Sequence, residues 1–121
     1  MMPGRNVGQA SAKEAMLRDF ITKTPGDPFP RYGLAIELKN AGRSDDAAVV
    51  FAELLAKFPD YTPAYLHAGN NLVVLKRRDE AIAVYRAGLE ACTRKRDDHA
   101  KGEIQAALAD LELTTELEET R

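Results

Sequence analysis

The sequence has one cysteine, no tryptophan and few aromatic residues. With Cys92 as its only cysteine the chain cannot form an internal disulfide, and a reducing compartment is the simplest expectation. No apolar run is long enough to span a membrane, and residues 1–10 lack the apolar stretch of a secretory signal. We therefore expect a cytoplasmic protein whose fold depends on ordinary side-chain packing.

An excess of charge of one sign is also missing. The chain carries 17 Lys and Arg against 19 Asp and Glu, for a net charge of −2 and a pI near 5.7. This balance lacks the strongly basic footprint of a nucleic-acid-binding domain. Two short basic runs, residues 76–78 and 94–96, each lie where a helix is predicted to end, where positive charge favours the helix dipole. We expect neither a nucleic-acid nor a membrane partner.

Groups that carry catalysis or bind metal are scarce. Two histidines and one cysteine do not make a zinc ligand cluster, and no glycine-rich phosphate loop is present. Cys92 and His99 could act as a nucleophile and its base, but Cys92 falls on an apolar stripe, which favours a small buried side chain. The sequence predicts a chain that is not an enzyme and has no cofactor and no metal.

The most informative positive feature is an internal repeat. Residues 28–60 and 62–94 carry the same pattern at a spacing of 34 residues, the difference between Ala47 and Ala81. At this offset Leu38 matches Leu72, Arg43 matches Arg77, and Phe51 matches the similar Tyr85. A fixed period of this size is typical of repeat proteins, in which each unit buries its apolar face by stacking on a neighbour.

Helix boundary signals flank the repeated segments. Ser11 with Glu14 forms a predicted capping box, and Asp27-Pro28 and Thr62-Pro63 each read as a cap followed by proline in the first turn. Gly42 is suited to the left-handed conformation that ends a helix. These signals predict about five antiparallel helices over residues 11–113, after a flexible segment 1–10 and before a frayed acidic tail 114–121.

Apolar residues recur at helical spacing within each predicted helix. For the first helix the expected apolar side is Ala15, Met16 and Phe20, with Leu17 and Ile21 as further candidates. The later helices contribute Leu34, Ala35, Leu38 and Ala41; Ala47, Ala48, Phe51, Leu54, Leu55 and Phe58; Ala68, Gly69, Leu72 and Leu75; Ala81, Ile82, Tyr85, Leu89 and Cys92; and Ala100, Ile104, Ala107, Leu108 and Leu111.

This pattern resembles the tetratricopeptide repeat family, whose unit is a pair of helices with small and aromatic residues at set places. The first copy fits at Leu34, Ala35, Leu38, Ala47, Phe51 and Pro59, and the second at Tyr65, Gly69, Leu72, Ala81 and Tyr85. Arg31, Ala68, Gly88 and Thr93 depart from the pattern. The resemblance implies an all-α, right-handed helical solenoid of two full repeats with a capping helix at each end.

The resemblance also implies a non-enzymatic interaction module, or adaptor, that binds a peptide or helix of a partner protein in a concave groove. The residues expected to line it, all on the first helix of a repeat, are Phe29, Tyr32, Ile36, Lys39, Asn40, Leu66, His67, Asn70, Val73 and Val74. Asn70 is expected to bond a partner backbone and to matter little for folding. The alternatives are a self-associating structural module, forming a weak homodimer, and a regulatory subunit of an enzyme complex.

Overall fold

A computed structural model of the chain describes residues 11–120, which form six α-helices and contain no β-strand. The helices are α1 (Ala12–Lys23), α2 (Pro28–Asn40), α3 (Ser44–Lys57), α4 (Pro63–Val74), α5 (Arg78–Lys95) and α6 (Asp98–Glu119). The predicted all-α class is confirmed. The predicted count of about five is wrong, because the two repeats supply four helices and each end adds one more. The predicted flexible segment 1–10 lies outside the described residues.

The predicted caps hold at two of three helix starts. The Ser11 hydroxyl oxygen accepts a hydrogen bond from the Glu14 N–H at 3.0 Å, and the Asp27 carboxylate accepts from the Phe29 N–H at 3.0 Å. Thr62 does not cap α4, so that prediction is wrong. Its hydroxyl instead donates to the Asp97 carboxylate at 2.6 Å, and a charged acceptor makes the stronger bond.

Left-handed residues occur where helices end. Gly42 has φ +78°, as predicted, and Lys76, the residue 34 positions later, has φ +63°. Arg96 follows α5 with φ +55°. A side chain other than glycine is strained in this conformation because its Cβ approaches the following carbonyl oxygen.

Within the predicted helical domain the helices group into two compact units, one that extends to Lys57 and one that begins at Phe58. In unit 1, α2 packs against both α1 and α3. Its core is formed by Leu34, Ala35 and Leu38 from α2 with Ala47, Phe51 and Leu54 from α3. These are the positions that the period predicted.

The buried side of α1 differs from the prediction. Leu17 is buried and Ile21 half-buried, whereas Ala15, Met16 and Phe20 are exposed. The reason lies at Glu14, on the same helix face as Leu17, which is only 4% exposed. Its carboxylate pairs with Arg43 at 2.5 Å and with Arg18 at 3.1 Å, instead of bonding back to Ser11 as a capping box requires. This ion pair selects which face of α1 is buried.

In unit 2, α4 packs on α5, and α6 contacts both of them. Two glycines allow the close packing. A Cβ on Gly69 would lie 2.6 Å from Cδ1 of Tyr85, and one on Gly88 would lie 2.7 Å from Cβ of Tyr65. Gly88, which departs from the family pattern, therefore makes room for a bulky Tyr65 in the facing helix.

Helix α6 continues to Glu119, beyond the point where the sequence predicts a frayed tail. No proline or glycine interrupts residues 103–120, and ion pairs connect this half of the helix to α5. Arg86 pairs with Glu112 at 3.3 Å, and Arg78 pairs with Glu118 at 2.8 Å. The residues of the predicted tail that the structure describes are thus helical as far as Glu119.

Candidate functional site

The predicted binding residues of unit 1 share one side of α2. Successive side chains rotate by about 100° around a helix, so residues three and four apart lie on one face. This face is exposed or half-buried, while Leu34 and Leu38 on the other side lie in the core. Burial raises the pKa of the Tyr32 hydroxyl, which therefore stays protonated at neutral pH. The residues of this face are Phe29, Tyr32, Ile36, Lys39 and Asn40.

The predicted residues of unit 2 share the corresponding side of α4. The opposite side, which includes Tyr65 and Leu72, is buried. Val74, at the end of the helix, is 65% exposed to solvent, and Val73 is 36% exposed. The face is formed by Leu66, His67, Asn70, Val73 and Val74. That the α2 and α4 faces together make one groove stays a prediction.

Unit 2 contains a cavity of about 600 Å³ between α4, α5 and α6. We call it the unit 2 pocket. Of the ten predicted site residues, only Asn70 and Val73 line it. Sequence reasoning missed the others as site residues, namely Lys76, Arg78, Tyr85, Ala107, Asp110, Leu111, Thr114 and Glu118.

A hydrogen bond between two helices forms one wall of the unit 2 pocket. The Tyr85 hydroxyl donates to the side-chain carbonyl of Asn70 at 2.5 Å, and the Tyr85 ring is only 2% exposed. Burial raises the pKa of Tyr85, so the hydroxyl keeps its proton and remains a donor. Asn70 therefore also has a structural contact, and we expect its loss to leave the Tyr85 hydroxyl without this acceptor.

Charged groups of both signs border the unit 2 pocket. Arg78 and Glu118 form a bidentate pair, at 2.8 and 3.3 Å, at the end of the pocket where α6 reaches its C-terminus. Lys76 and Asp110 form no ion pair with another residue of the described range 11–120. The pocket thus offers an apolar interior beside one cation, Lys76, and one anion, Asp110, that are both available to a ligand.

The backbone of Lys76 has an unfavourable, left-handed conformation. It occupies the left-handed turn position at which the first repeat has Gly42. Lys76 combines this conformation with a place in the pocket lining and with a charge that forms no ion pair with another described residue. The ammonium group of Lys76 is therefore the first candidate for ligand contact.

Two signals in the sequence could have revealed the missed residues. Ala107 lies 34 residues after Val73, so the period continues from α4 into α6. The two equivalent residues line the same pocket. Tyr85 was assigned only to the core, although a tyrosine packed over a glycine has a hydroxyl that must reach a polar partner. The period therefore contained more information about the site than the apolar stripes did.

The side chains considered for catalysis are far from reactive. Cys92 is completely buried, and this burial raises the pKa of its thiol, so the thiolate needed for nucleophilic attack is disfavoured. Its prediction as a small buried residue is confirmed. His99 is exposed and lies 3.4 Å from Glu103. Within residues 11–120, no group of three His, Cys, Asp or Glu side chains could hold a metal ion. None of α1–α6 is both long and apolar enough to cross a membrane.

Comparison with known proteins identifies similar helical chains. The crystal structure of a tetratricopeptide repeat domain protein from Salinibacter ruber aligns with a TM-score of 0.68 and 35% identity, over 71% of this chain and 96% of that one. A solution structure of a tetratricopeptide repeat domain protein from the same organism gives the same score and identity, over 73% and 89%.

A curated protein is similar over part of its length. Cellulose synthase operon protein C from Komagataeibacter xylinus is 38% identical over 82 residues, which is 64% of this chain. The chain spans only 6% of that protein. No protein-family model matches the sequence.

Proposed function

The chain belongs to the tetratricopeptide repeat family, and we propose that it is a non-enzymatic protein-interaction module that binds a segment of a partner protein in the unit 2 pocket. The observation that carries this proposal is the pocket itself, where Val73 and Leu111 offer apolar surface beside the amide of Asn70. A small number of polar groups around an apolar cavity is typical of sites that take affinity from burial and orientation from hydrogen bonds.

The chemistry of the rim specifies the partner segment further. Glu118 is paired with Arg78, whereas the positive charge of Lys76 after α4 and the negative charge of Asp110 on α6 are available. We propose a segment that inserts an apolar side chain between Val73 and Leu111 and brings an acidic group to Lys76. An ion pair at such a partly exposed site adds modest affinity and sets the orientation of the segment.

The wider binding surface is part of the same proposal. We propose the α2 face with Tyr32 and Ile36 as a further contact surface for the partner segment. We also propose that the protein is cytoplasmic and that it serves as an adaptor in a larger assembly. The support for them is the family membership together with the single buried cysteine.

The experiment begins with a displayed library of random peptides panned against the chain. Selected peptides should carry an acidic residue near an apolar one, and their affinities should be measured by fluorescence anisotropy. Val73→Asp should weaken binding by about tenfold or more, because it places a charge in the apolar part of the pocket. Val49→Asp, at an exposed valine of α3, is the matched control and should leave affinity unchanged.

Lys76→Gly separates binding from folding. It should raise the stability of unit 2 by about 1 kcal/mol, because glycine relieves the left-handed strain, and at the same time weaken peptide binding several-fold. Arg96→Gly relieves the same strain outside the pocket and should stabilise without changing affinity. Equal affinities for the parent chain, Val73→Asp and Lys76→Gly would show that the unit 2 pocket is not the binding site.

A further inference from the structure

The charges that line the unit 2 pocket are of both signs and balance one another. There are two cations and two anions, namely Lys76, Arg78, Asp110 and Glu118. Arg78 and Glu118 pair with each other. Lys76 and Asp110 are exposed and form no ion pair with any residue in the described part of the chain. A ligand that carries charge of one sign alone would therefore meet only one of these two groups.

The two unpaired charges occupy equivalent places in consecutive repeats. Asp110 follows Lys76 by 34 residues, as Ala107 follows Val73, and all four residues line the unit 2 pocket. Equivalent residues of stacked repeats lie at the same level on neighbouring elements. The positive charge therefore stands on the α4 side of the pocket and the negative charge on the α6 side, and an apolar residue precedes each by three positions.

The uncharged polar groups on the two sides follow the same polarity. On the α4 side, the Tyr85 hydroxyl donates to the side-chain carbonyl of Asn70, so the amide directs its two N–H donors away from Tyr85. On the α6 side, the Thr114 hydroxyl donates to the backbone carbonyl of Asp110 at 2.9 Å, which leaves the hydroxyl oxygen as an acceptor. The α4 side thus presents hydrogen-bond donors, and the α6 side presents acceptors.

We infer that the unit 2 pocket selects a partner segment with charges of both signs, in which an acidic and a basic residue flank an apolar one. The acidic side chain pairs with Lys76, the basic side chain pairs with Asp110, and the apolar side chain lies against Val73 and Leu111. This partner class rests on the function proposed above, to which it adds the second charge and its position. Because each charge of the segment meets its opposite, complementarity fixes the direction in which the segment crosses the pocket.

A displayed peptide library tests whether both charges are needed. The two residues beside a central leucine are drawn from Asp, Asn and Lys, and all other positions are random but uncharged. Centres with one Asp and one Lys should dominate after panning against the full chain, and centres with two like charges should be depleted. Equal enrichment of centres with one charge or none would overturn the inference.

A charge swap in the pocket tests the assignment of each side. Fluorescence anisotropy compares the best selected peptide with the same peptide after its two charged residues are exchanged. The parent chain should prefer the selected order by about tenfold, because the exchange replaces two weak attractions by two repulsions. Lys76→Glu/Asp110→Lys should reverse this preference, which a general loss of structure would not do. Glu53→Lys/Lys57→Glu, a swap of two exposed charges on α3, is the matched control and should keep the preference of the parent.

Asp110→Asn should weaken binding of the selected peptide by about twofold to fivefold, as expected for loss of one exposed ion pair. At about 0.5 M NaCl the charge preference should shrink, because salt screens exposed charges. Circular dichroism should show that these variants stay folded, since both substituted side chains are exposed.

The failure of this inference is distinguishable from the failure of the proposed function. If Val73→Asp weakens binding but Asp110→Asn leaves it unchanged, or if the swapped variant keeps the preference of the parent, the pocket binds a segment without reading both charges. Either result overturns the inference and leaves the proposed function standing. If no library member binds, or if binding survives Val73→Asp, both are wrong.

Discussion

The contact between Gly69 and Tyr85 gives the sharpest prediction for stability. A methyl group on Gly69 would lie 2.6 Å from Cδ1 and 2.8 Å from Cζ of Tyr85, closer than van der Waals contact allows. The ring cannot retreat easily, because it is buried and its hydroxyl is bonded to Asn70. Gly69→Ala should therefore displace Tyr85 and disturb this bond.

The magnitude follows from three opposing contributions. Replacing glycine by alanine inside a helix favours folding by about 1 kcal/mol. Overpacking of a buried site costs about 1 to 3 kcal/mol, and losing the Tyr85 hydrogen bond costs about 0.5 to 1.5 kcal/mol. We expect a net loss of about 0.5 to 3.5 kcal/mol, because the two unfavourable contributions together exceed the gain in helix propensity.

The assay is urea unfolding followed by circular dichroism, in the parent chain and in a Tyr85→Val background. Valine has no side-chain atoms beyond Cγ, so the clash disappears, and Gly69→Ala should then stabilise by up to about 1 kcal/mol. Gly102→Ala, where a Cβ meets open space, should stabilise both backgrounds equally. If Gly69→Ala destabilises both backgrounds by the same amount, the Tyr85 ring is not what requires glycine.

Three further predictions concern buried and charged groups. Ala81→Asp should destabilise unit 2 by several kcal/mol, because Ala81 is completely buried and an unpaired charge there has no partner, while exposed Ala83→Asp should be nearly neutral in thermal melts. Arg43→Ala should cost unit 1 about 2 kcal/mol in urea unfolding, since it removes one partner of the buried Glu14, and Arg77→Ala, the equivalent position with an exposed Glu80 pair, should cost less than about 1 kcal/mol. The Thr62 hydroxyl and the Ala100 N–H lower the pKa of Asp97 in the folded chain. The ionised Asp97 therefore stabilises the fold at pH values above its unfolded pKa of about 3.9, and this stabilisation is lost as the pH falls through the lower folded pKa. Thr62→Val should flatten the acid-unfolding profile below about pH 4, and an unchanged profile would contradict this assignment.

The sequence predicted the parts of the fold that depend on periodicity. Leu34, Leu38 and Phe51 are buried because an apolar residue every three or four positions has only one helix face to occupy. The same logic failed for α1, where the predicted apolar residues Ala15, Met16 and Phe20 are exposed and the face that carries Glu14 is buried instead. The ion pair of Glu14 with Arg43 decided the outcome, and a partner 29 residues away leaves no local pattern.

The candidate site was less predictable because it depends on contacts between helices. Thr62 has the composition of a helix cap, yet Asp97 takes its hydroxyl, and no spacing rule connects these residues. Asn70 was identified as a site residue from its position on α4, but its bond to Tyr85 follows from the close approach that Gly69 allows. Side-chain type and helix face were accessible from the sequence, and side-chain partners were not.

Polar contacts near the two ends of α6 have consequences for how the unit 2 pocket opens. At the N-terminal end, the part-buried bond between Thr62 and Asp97 joins the starts of α4 and α6. At the other end, the pair of Arg78 with Glu118 is largely exposed, and such pairs contribute only about 0 to 1 kcal/mol. Thermal motion should therefore separate the C-terminal half of α6 from α5 far more often than its N-terminal half, with the Thr62 contact as the pivot. Salt screens the exposed pair of Arg78 with Glu118 and so weakens it. The pocket should therefore open wider, and admit a bulkier side chain, at higher ionic strength.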